Sequence, residues 1–277
     1  MGEALQAALT ERYDALSTSL RDRVISFVLA AFDSLGNYRD SDAATFLDRV
    51  LPTVLAAQQQ MGHITDAYLS AMIGDMLGTA TPAAGVELPA ALRGVDPTEV
   101  YRRPFVTAYT ALSQGKSYAE ALGEARTRLL SITETDLQLA RTHAAQQSMR
   151  AGGAQFFRRR LTGTKNCALC TIASTQRYRV ENLMPIHPGC DCKVEPIVGN
   201  KDPGQVIDEK LLREAHDSIA AAGETVDRAG NVIGRRANGS LIRDYQDIII
   251  TREHGEYGPL LAVRRHEFTG PDDVPSP

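Results

Sequence analysis

A chain of 277 residues with 30 Lys and Arg against 34 Asp and Glu has a net charge of −4, which argues against a globally basic nucleic-acid binder and leaves only local patches for such a role. The length allows one large or two modest domains, and 43% hydrophobic with 23% charged residues is the composition of an ordinary soluble protein. Aromatic residues make up 6% and Trp is absent, so the abundant Ala and Leu lean toward helix-on-helix packing. No run of about eighteen apolar residues exists, as a membrane-spanning helix would need. The longest, residues 27–32, sits inside an amphipathic pattern. The chain is expected to be soluble and intracellular when made, with no secretory signal.

Apolar residues at Leu5, Leu9, Tyr13, Leu16, Leu20, Val24, Phe27, Val28, Ala31 and Leu35 alternate by threes and fours, predicting one long helix over residues 3–35 ended by Gly36 and Asn37. The spacing is close to a coiled-coil seam, able to pair within its own fold or with another chain, and own-fold packing is the commoner outcome. A second helix opens at Asp40, Ser41 and Asp42 and carries Phe46, Leu47, Val50, Leu51, Val54 and Leu55, with Pro52 implying a kink or break. A third is expected over residues 65–77. Residues 78–97, rich in Thr, Pro, Ala and Gly, read as a linker or long exposed loop.

Helix resumes with Asp96 as N-cap and Pro97 in the first turn, and Tyr101, Phe105, Tyr109 and Leu112 form its predicted inner face. Gln114 and Gly115 stop it. Another helix is expected from Tyr118 to about Leu130, followed by one capped by Ser131 with Glu134 and running to about Arg150, where Gly152 and Gly153 end it.

All four cysteines then fall in one window: Cys167, Cys170, Cys190 and Cys192, with His187 three residues before the last pair. A C-x-x-C turn can aim two sulfurs at one point about 2.3 Å from each, as tetrahedral zinc requires. The C-x-C pair can do the same if the backbone kinks, and Pro188 and Gly189 supply a rigid turn and a permissive residue there. Two disulfides are disfavoured for a cytosolic chain, whose thiols stay reduced. A thioredoxin-type redox motif should open a helix after a strand, whereas here it follows a Gly-Thr-Lys-Asn turn, and isolated buried cysteines give no reason for the pairing. The expectation is one structural zinc per chain, held by Cys167, Cys170, Cys190 and Cys192, with His187 as a neighbour or as a substitute for Cys190 or Cys192.

Arg158, Arg159 and Arg160, with Lys165, Arg177 and Arg179, form the strongest positive cluster of the chain. They suit DNA phosphates or an acidic protein face, or else the solvated positions of a strand. Beyond Pro196 a helix is expected over residues 206–222, then two strands at residues 247–251 and 260–263 joined by residues 252–259, then an acidic, proline-rich tail. No G-x-S-x-G, H-E-x-x-H, Walker A or G-x-G-x-x-G motif is present. Ser240 and His254 are the only pair in loop-like settings, and nothing ties them together, so no catalytic residue is expected.

The cysteine window resembles the Mu F-like (MuF) minor head protein domain of tailed bacteriophages. That family's hallmark is a C-x-x-C, an aromatic or basic strand, and a proline-rich lead into H-P-x-C-x-C with a Pro soon after. Here these are Cys167 and Cys170, then Gln176, Arg177, Tyr178 and Arg179, then Met184, Pro185, Ile186, His187, Pro188, Gly189, Cys190, Asp191 and Cys192, then Pro196. Asp191 stands where the family often carries Arg, so no role of a basic residue carries over to it. The resemblance implies a minor capsid protein of head morphogenesis, assembled in the host cytoplasm and carried in the virion. It would act at or near the portal, with portal and capsid or scaffold proteins as partners, DNA contact as a further role, and neither membrane nor small-molecule substrate.

The expected architecture is a mainly α N-terminal helical body over residues 1–151, its loop at 78–97, followed by a small α+β zinc-stapled module over residues 152–199. A thin extension of helix, β-hairpin and flexible tail then covers residues 200–277. The competing functions are a head maturation protease, alone or fused to such a module, and a zinc-ribbon-like nucleic-acid-binding module.

Overall fold

The computed structural model describes residues 2–161, 173–174, 177–185, 192–198, 249–254 and 258–263. Among the described residues the chain is mainly helical, with four α-helices and a small three-stranded sheet: α1 (Gly2–Asp33), α2 (Asp40–Leu77), α3 (Pro97–Ser113), α4 (Tyr118–Ala151), then β1 (Phe156–Arg160), β2 (Arg177–Arg179) and β3 (Lys193–Ile197). A separate two-stranded ladder pairs β4 (Ile249–His254) with β5 (Gly258–Val263), with His254 opposite Gly258, so its strands reach further toward the turn than expected. The helix expected over residues 206–222 and the tail lie outside the described residues. Among the described residues, no helix is long and apolar enough to cross a membrane.

The chain divides into two compact units, Met1–Ala71 with Pro82–Ser148, and Met72–Thr81 with Met149–Pro277. In the first, α1 buries Thr10, Tyr13, Ser17, Leu20, Val24, Val28, Ala31 and Phe32, while Leu5 and Leu16 are 46% exposed. Steps of three and four from Tyr13 lead through Ser17, not Leu16, so the buried stripe carries two hydroxyls that an apolar count passes over. The stripe packs within the chain's own fold, where Thr10 Oγ1 lies 3.4 Å from the Tyr68 hydroxyl, the Tyr13 ring stacks on Tyr68 at 4.3 Å and the Tyr13 hydroxyl pairs with Thr65 Oγ1 at 3.1 Å. At the other end of the unit, Phe32, Phe46 and Phe105 meet edge to face with centroids 5.5–5.8 Å apart.

Helix α2 runs unbroken through Pro52, whose side lies exposed, where water can satisfy the carbonyl that proline leaves without a donor. Helix α4 likewise passes through Ser131 as one element. Its capping box is one sequence motif earlier: Ser117 N–H donates to Glu120 Oε2 at 2.8 Å and Glu120 N–H donates to Ser117 Oγ at 3.3 Å. Asp96 caps α3, accepting from Thr98 N–H at 2.7 Å with Pro97 in the first turn. The buried face of α3 is Val100, Tyr101, Pro104, Phe105, Ala108 and Ala111, so Tyr109 and Leu112 point outward instead of inward.

Three helices end in the same local device. Gly78, Gly115 and Gly153 have φ of 71°, 86° and 75°. In each case the next residue's N–H returns to a carbonyl five residues back: Thr79 to Gly74, Lys116 to Ala111 and Ala154 to Met149, at 2.9–3.1 Å. After α2 this return is close, for a Cβ on Gly74 would lie 3.0 Å from the Thr79 carbonyl oxygen and 3.2 Å from Thr81 N.

The segment expected as an exposed linker is a strap laid on α2. Gln59, Gly62 and Asp66, three and four residues apart, form one helical face beneath it. The Gln59 amide donates to Leu88 O at 2.5 Å and accepts from Leu88 N–H at 3.3 Å. A Cβ on Gly62 would meet Leu88 Cδ1 at 3.0 Å. Asp66, 3% exposed, accepts from the N–H groups of Ala84, Gly85 and Val86 at 3.1, 3.0 and 3.4 Å, and from Ser148 Oγ of α4 at 2.7 Å. Val86, Leu88 and Leu92 are buried as a result. The strap ends in a buried ion pair, Arg93 Nε to Asp136 Oδ1 at 2.8 Å, with Arg93 Nη2 donating to Ile132 O at 2.8 Å. Burial pushes the Asp136 carboxyl up, and the Arg93 guanidinium opposes it. The fully buried Tyr101 hydroxyl sits beside Asp136 and Thr133 without a hydrogen bond of ordinary geometry to either, and burial raises its pKa well above the usual value.

Burial alone would raise the Asp66 carboxyl, but the hydrogen bonds from Ser148, Ala84, Val86 and Gly85 outweigh it and hold the pKa below its ordinary value. A carboxyl lowered on folding stabilises above its unfolded value of about 4 and loses that contribution as pH falls through the lower folded value. Asp66→Asn is therefore expected to lower stability by about 2 kcal/mol at neutral pH, with the gap to the unsubstituted chain narrowing in acid, as read by urea unfolding across pH. Gly74→Ala should also destabilise, by about 1 kcal/mol or more in thermal melts, because contact with backbone at Thr79 and Thr81 outweighs the gain of about 1 kcal/mol in helix propensity.

Candidate functional site

The arginine-rich stretch becomes the central strand of the sheet, in the order β2-β1-β3 and antiparallel on both sides. Side chains of a strand alternate between faces, so the run Arg158, Arg159, Arg160 is divided. Phe156, Arg158 and Arg160 take one face, and Phe157 and Arg159 take the other. Directly paired residues share a face, so Arg179 and Arg177, opposite Phe156 and Arg158, join the first, as do Ile197, Glu195 and Lys193 from β3.

On that first face one carboxylate serves two cations. Glu195, with a side chain 2% exposed, accepts from Arg158 Nε at 2.7 Å and Nη2 at 2.6 Å, and from Arg160 Nη1 at 2.7 Å. The outer parts of the two guanidinium groups remain in solvent, at 31% and 41% exposure. Across the sheet, Arg177 and Arg179 lie over the Phe156 ring at 4.5 and 5.6 Å from its centroid, a cation–π arrangement in which two cations cover one aromatic side chain. Arg179 also approaches Glu181 at 3.7 Å, in solvent.

The second face is closed. Arg159 is 6% exposed and lies over the stacked rings of Phe157 and Tyr178, 5.7 and 5.9 Å from their centroids. Its guanidinium donates to the Met184 carbonyl and, at 3.5 Å, to Cys192 Sγ. Burial raises the Tyr178 hydroxyl to about 12 although Arg159 draws it down. Its O–H donates to Ala173 O at 3.1 Å. Of the arginines expected to act together, then, Arg158, Arg160, Arg177 and Arg179 stand on one face and Arg159 stands behind it. Lys165 lies outside the described residues.

The expected zinc site requires correction. Among the described residues, no group of three or more His, Cys, Asp or Glu is placed to hold a metal ion. Cys167, Cys170, His187 and Cys190 lie outside the described residues. Cys192, the one expected ligand described, is buried with its sulfur accepting from the Arg159 guanidinium at 3.5 Å, so the described residues bring one of the expected donors where a structural site needs four. The donor set described therefore does not fit the metal.

Glu195 and Phe156 were not singled out by sequence. The alternation within Phe156, Phe157, Arg158, Arg159 and Arg160 was available as a signal of two faces. The pairing of Arg158 with Glu195, 37 residues on, follows only from strand register. With this geometry in view, no family model matches the chain, and no curated protein or solved structure gives a match.

Glu195→Gln removes the charge between Arg158 and Arg160 and is expected to cost about 2 kcal/mol in chemical unfolding. Arg158→Gln, which leaves Glu195 paired with Arg160, should cost less than half as much. Equal losses in the two variants would show that Glu195 does not bridge them.

Proposed function

We propose that the protein is a minor head protein of a tailed bacteriophage, of the MuF-like kind, working by contact and not by catalysis. It joins the head at or near the portal during assembly in the host cytoplasm, stays in the virion, and contacts portal and capsid or scaffold proteins in assembly, packaging or ejection. The reading rests on the cysteine and His-Pro spacing from Cys167 to Cys192 and on what lies either side of it. The observation that carries it is the pairing of β1 with β3: Arg160, seven residues before Cys167, stands opposite Lys193, next to Cys192. The chain leading into the window and the chain leaving it are thus paired in one ladder, as a small discrete module following a helical body requires. The helices supply protein-contact surface, since Val106 on α3 is 58% exposed and Tyr109, Leu112 and Tyr118 lie open near it in sequence.

Mass spectrometry of purified phage particles from the encoding replicon should find the protein at low copy, and it should co-purify with the portal protein when the two are co-expressed. Its absence from particles, with undiminished titre after deletion of its gene, would refute the proposal.

A further inference from the structure

The connection from α2 to α3 takes 19 residues, 78–96, none of them in helix or strand. Neighbouring helices are usually joined by about 2–8 residues, and a much longer irregular connection generally has a task of its own. Its middle is laid out as a bound peptide is. Val86 and Leu88 are buried while Glu87 and Pro89 are exposed, the alternation of an extended chain lying on a surface. Leu88 rests on Gly62 of α2 where α4 also comes close, since a Cβ on Gly62 would lie 3.0 Å from Leu88 Cδ1 and 3.8 Å from Ala144 Cβ. Among the described residues, the backbone of 82–90 makes no hydrogen bond to other backbone and is held instead by side chains of α2. Gln59 takes both the N–H and the C=O of Leu88, and Asp66 takes the N–H groups of Ala84, Gly85 and Val86. Main-chain hydrogen bonds together with seats for alternate side chains are how extended peptides are recognised.

We propose that this face of α2 and α4 is a peptide-binding groove that the chain closes with its own residues 84–89. Its ligand is an extended segment of a partner protein with apolar side chains two residues apart and proline after the second, in the manner of Val86, Leu88 and Pro89. Such a segment takes over the hydrogen bonds of Gln59 and Asp66, so the exchange leaves neither group buried without a partner. Both flanking helices end in caps of their own, at Gly78 and Asp96, and the segment can leave its seat without unwinding either. The tethered segment competes at an effective concentration on the order of millimolar, which keeps the groove closed to weak ligands. The inference rests on the packing of the helical unit and stands or falls apart from the head-protein reading.

Fluorescence anisotropy of the full-length chain with a labelled peptide of residues 82–92 tests it. V86S/L88S, which loosens the tethered segment and leaves the groove side chains in place, should bind the peptide about tenfold or more tightly than the unsubstituted chain. Adding Gln59→Ala to that variant should reverse the gain, and a peptide with Ser in place of Val86 and Leu88 should not bind. Circular dichroism melts show which variants are folded. Hydrogen exchange of the unsubstituted chain needs no variant. There the amides of Ala84, Gly85, Val86 and Leu88 should exchange at least about tenfold faster than buried amides of α2, and faster again with the peptide in millimolar excess. The proposal is overturned if these amides exchange only as fast as global unfolding allows, or if excess peptide leaves their exchange unchanged. It also fails if folded V86S/L88S binds the peptide no better than the unsubstituted chain.

Discussion

The first unit depends on a single buried carboxylate. Asp66 is the point where α2, the strap and α4 meet, and it accepts hydrogen bonds from three consecutive backbone N–H groups, those of Ala84, Gly85 and Val86. A strap without regular structure has backbone donors that must find acceptors once Val86 and Leu88 are buried. Asp66 supplies them for one end and Gln59 for the other, while Gly62 between them leaves room for Leu88. An apolar residue at position 66 would pack as well against its neighbours and leave the strap without partners. A buried charge, usually a liability, here lets a loop become part of a core.

What was legible in the sequence was mostly what is decided locally. The cap at Asp96 and the glycine ends at Gly115 and Gly153 depend on a few adjacent residues and a positive φ, and they stand where they were read. The readings that fail depend on competition between levels. Ser131 with Glu134 carries the same pattern as Ser117 with Glu120, but Leu129, Ile132, Thr133, Thr135 and Asp136 are all buried around it, and helix packing overrides the local signal. Pro52 interrupts nothing because it faces solvent, which periodicity alone does not reveal at a position surrounded by Leu51, Val54 and Leu55. Ser17 and Thr10 in the α1 stripe, and Ala108 with Ala111 on α3, show the same limit from the other side. Small or hydroxylated residues are buried where bulky ones were sought.

The sheet was legible as a basic strand and opaque as an arrangement. Composition places arginines at 158, 159 and 160, strand periodicity divides them, and only the register of β1 against β2 and β3 says which acceptors each meets. The zinc expectation failed at the same level. Spacing describes which side chains could converge, whereas Cys192 is taken up by Arg159, a residue read as belonging to the solvent-facing patch.

The division of that arginine run has a bearing on what change the strand can absorb. Replacing one arginine alters one position, but inserting or deleting a single residue within β1 exchanges inside for outside along everything beyond it. Two guanidinium groups would then be pressed toward the closed face, where the Met184 carbonyl and Cys192 Sγ receive one, and Glu195 would be left buried with a single cation at most. The three arginines thus act as a parity check on the strand. Homologous chains should keep the length of β1 unchanged, so that indels are confined to the connections beyond Phe156 and Arg160.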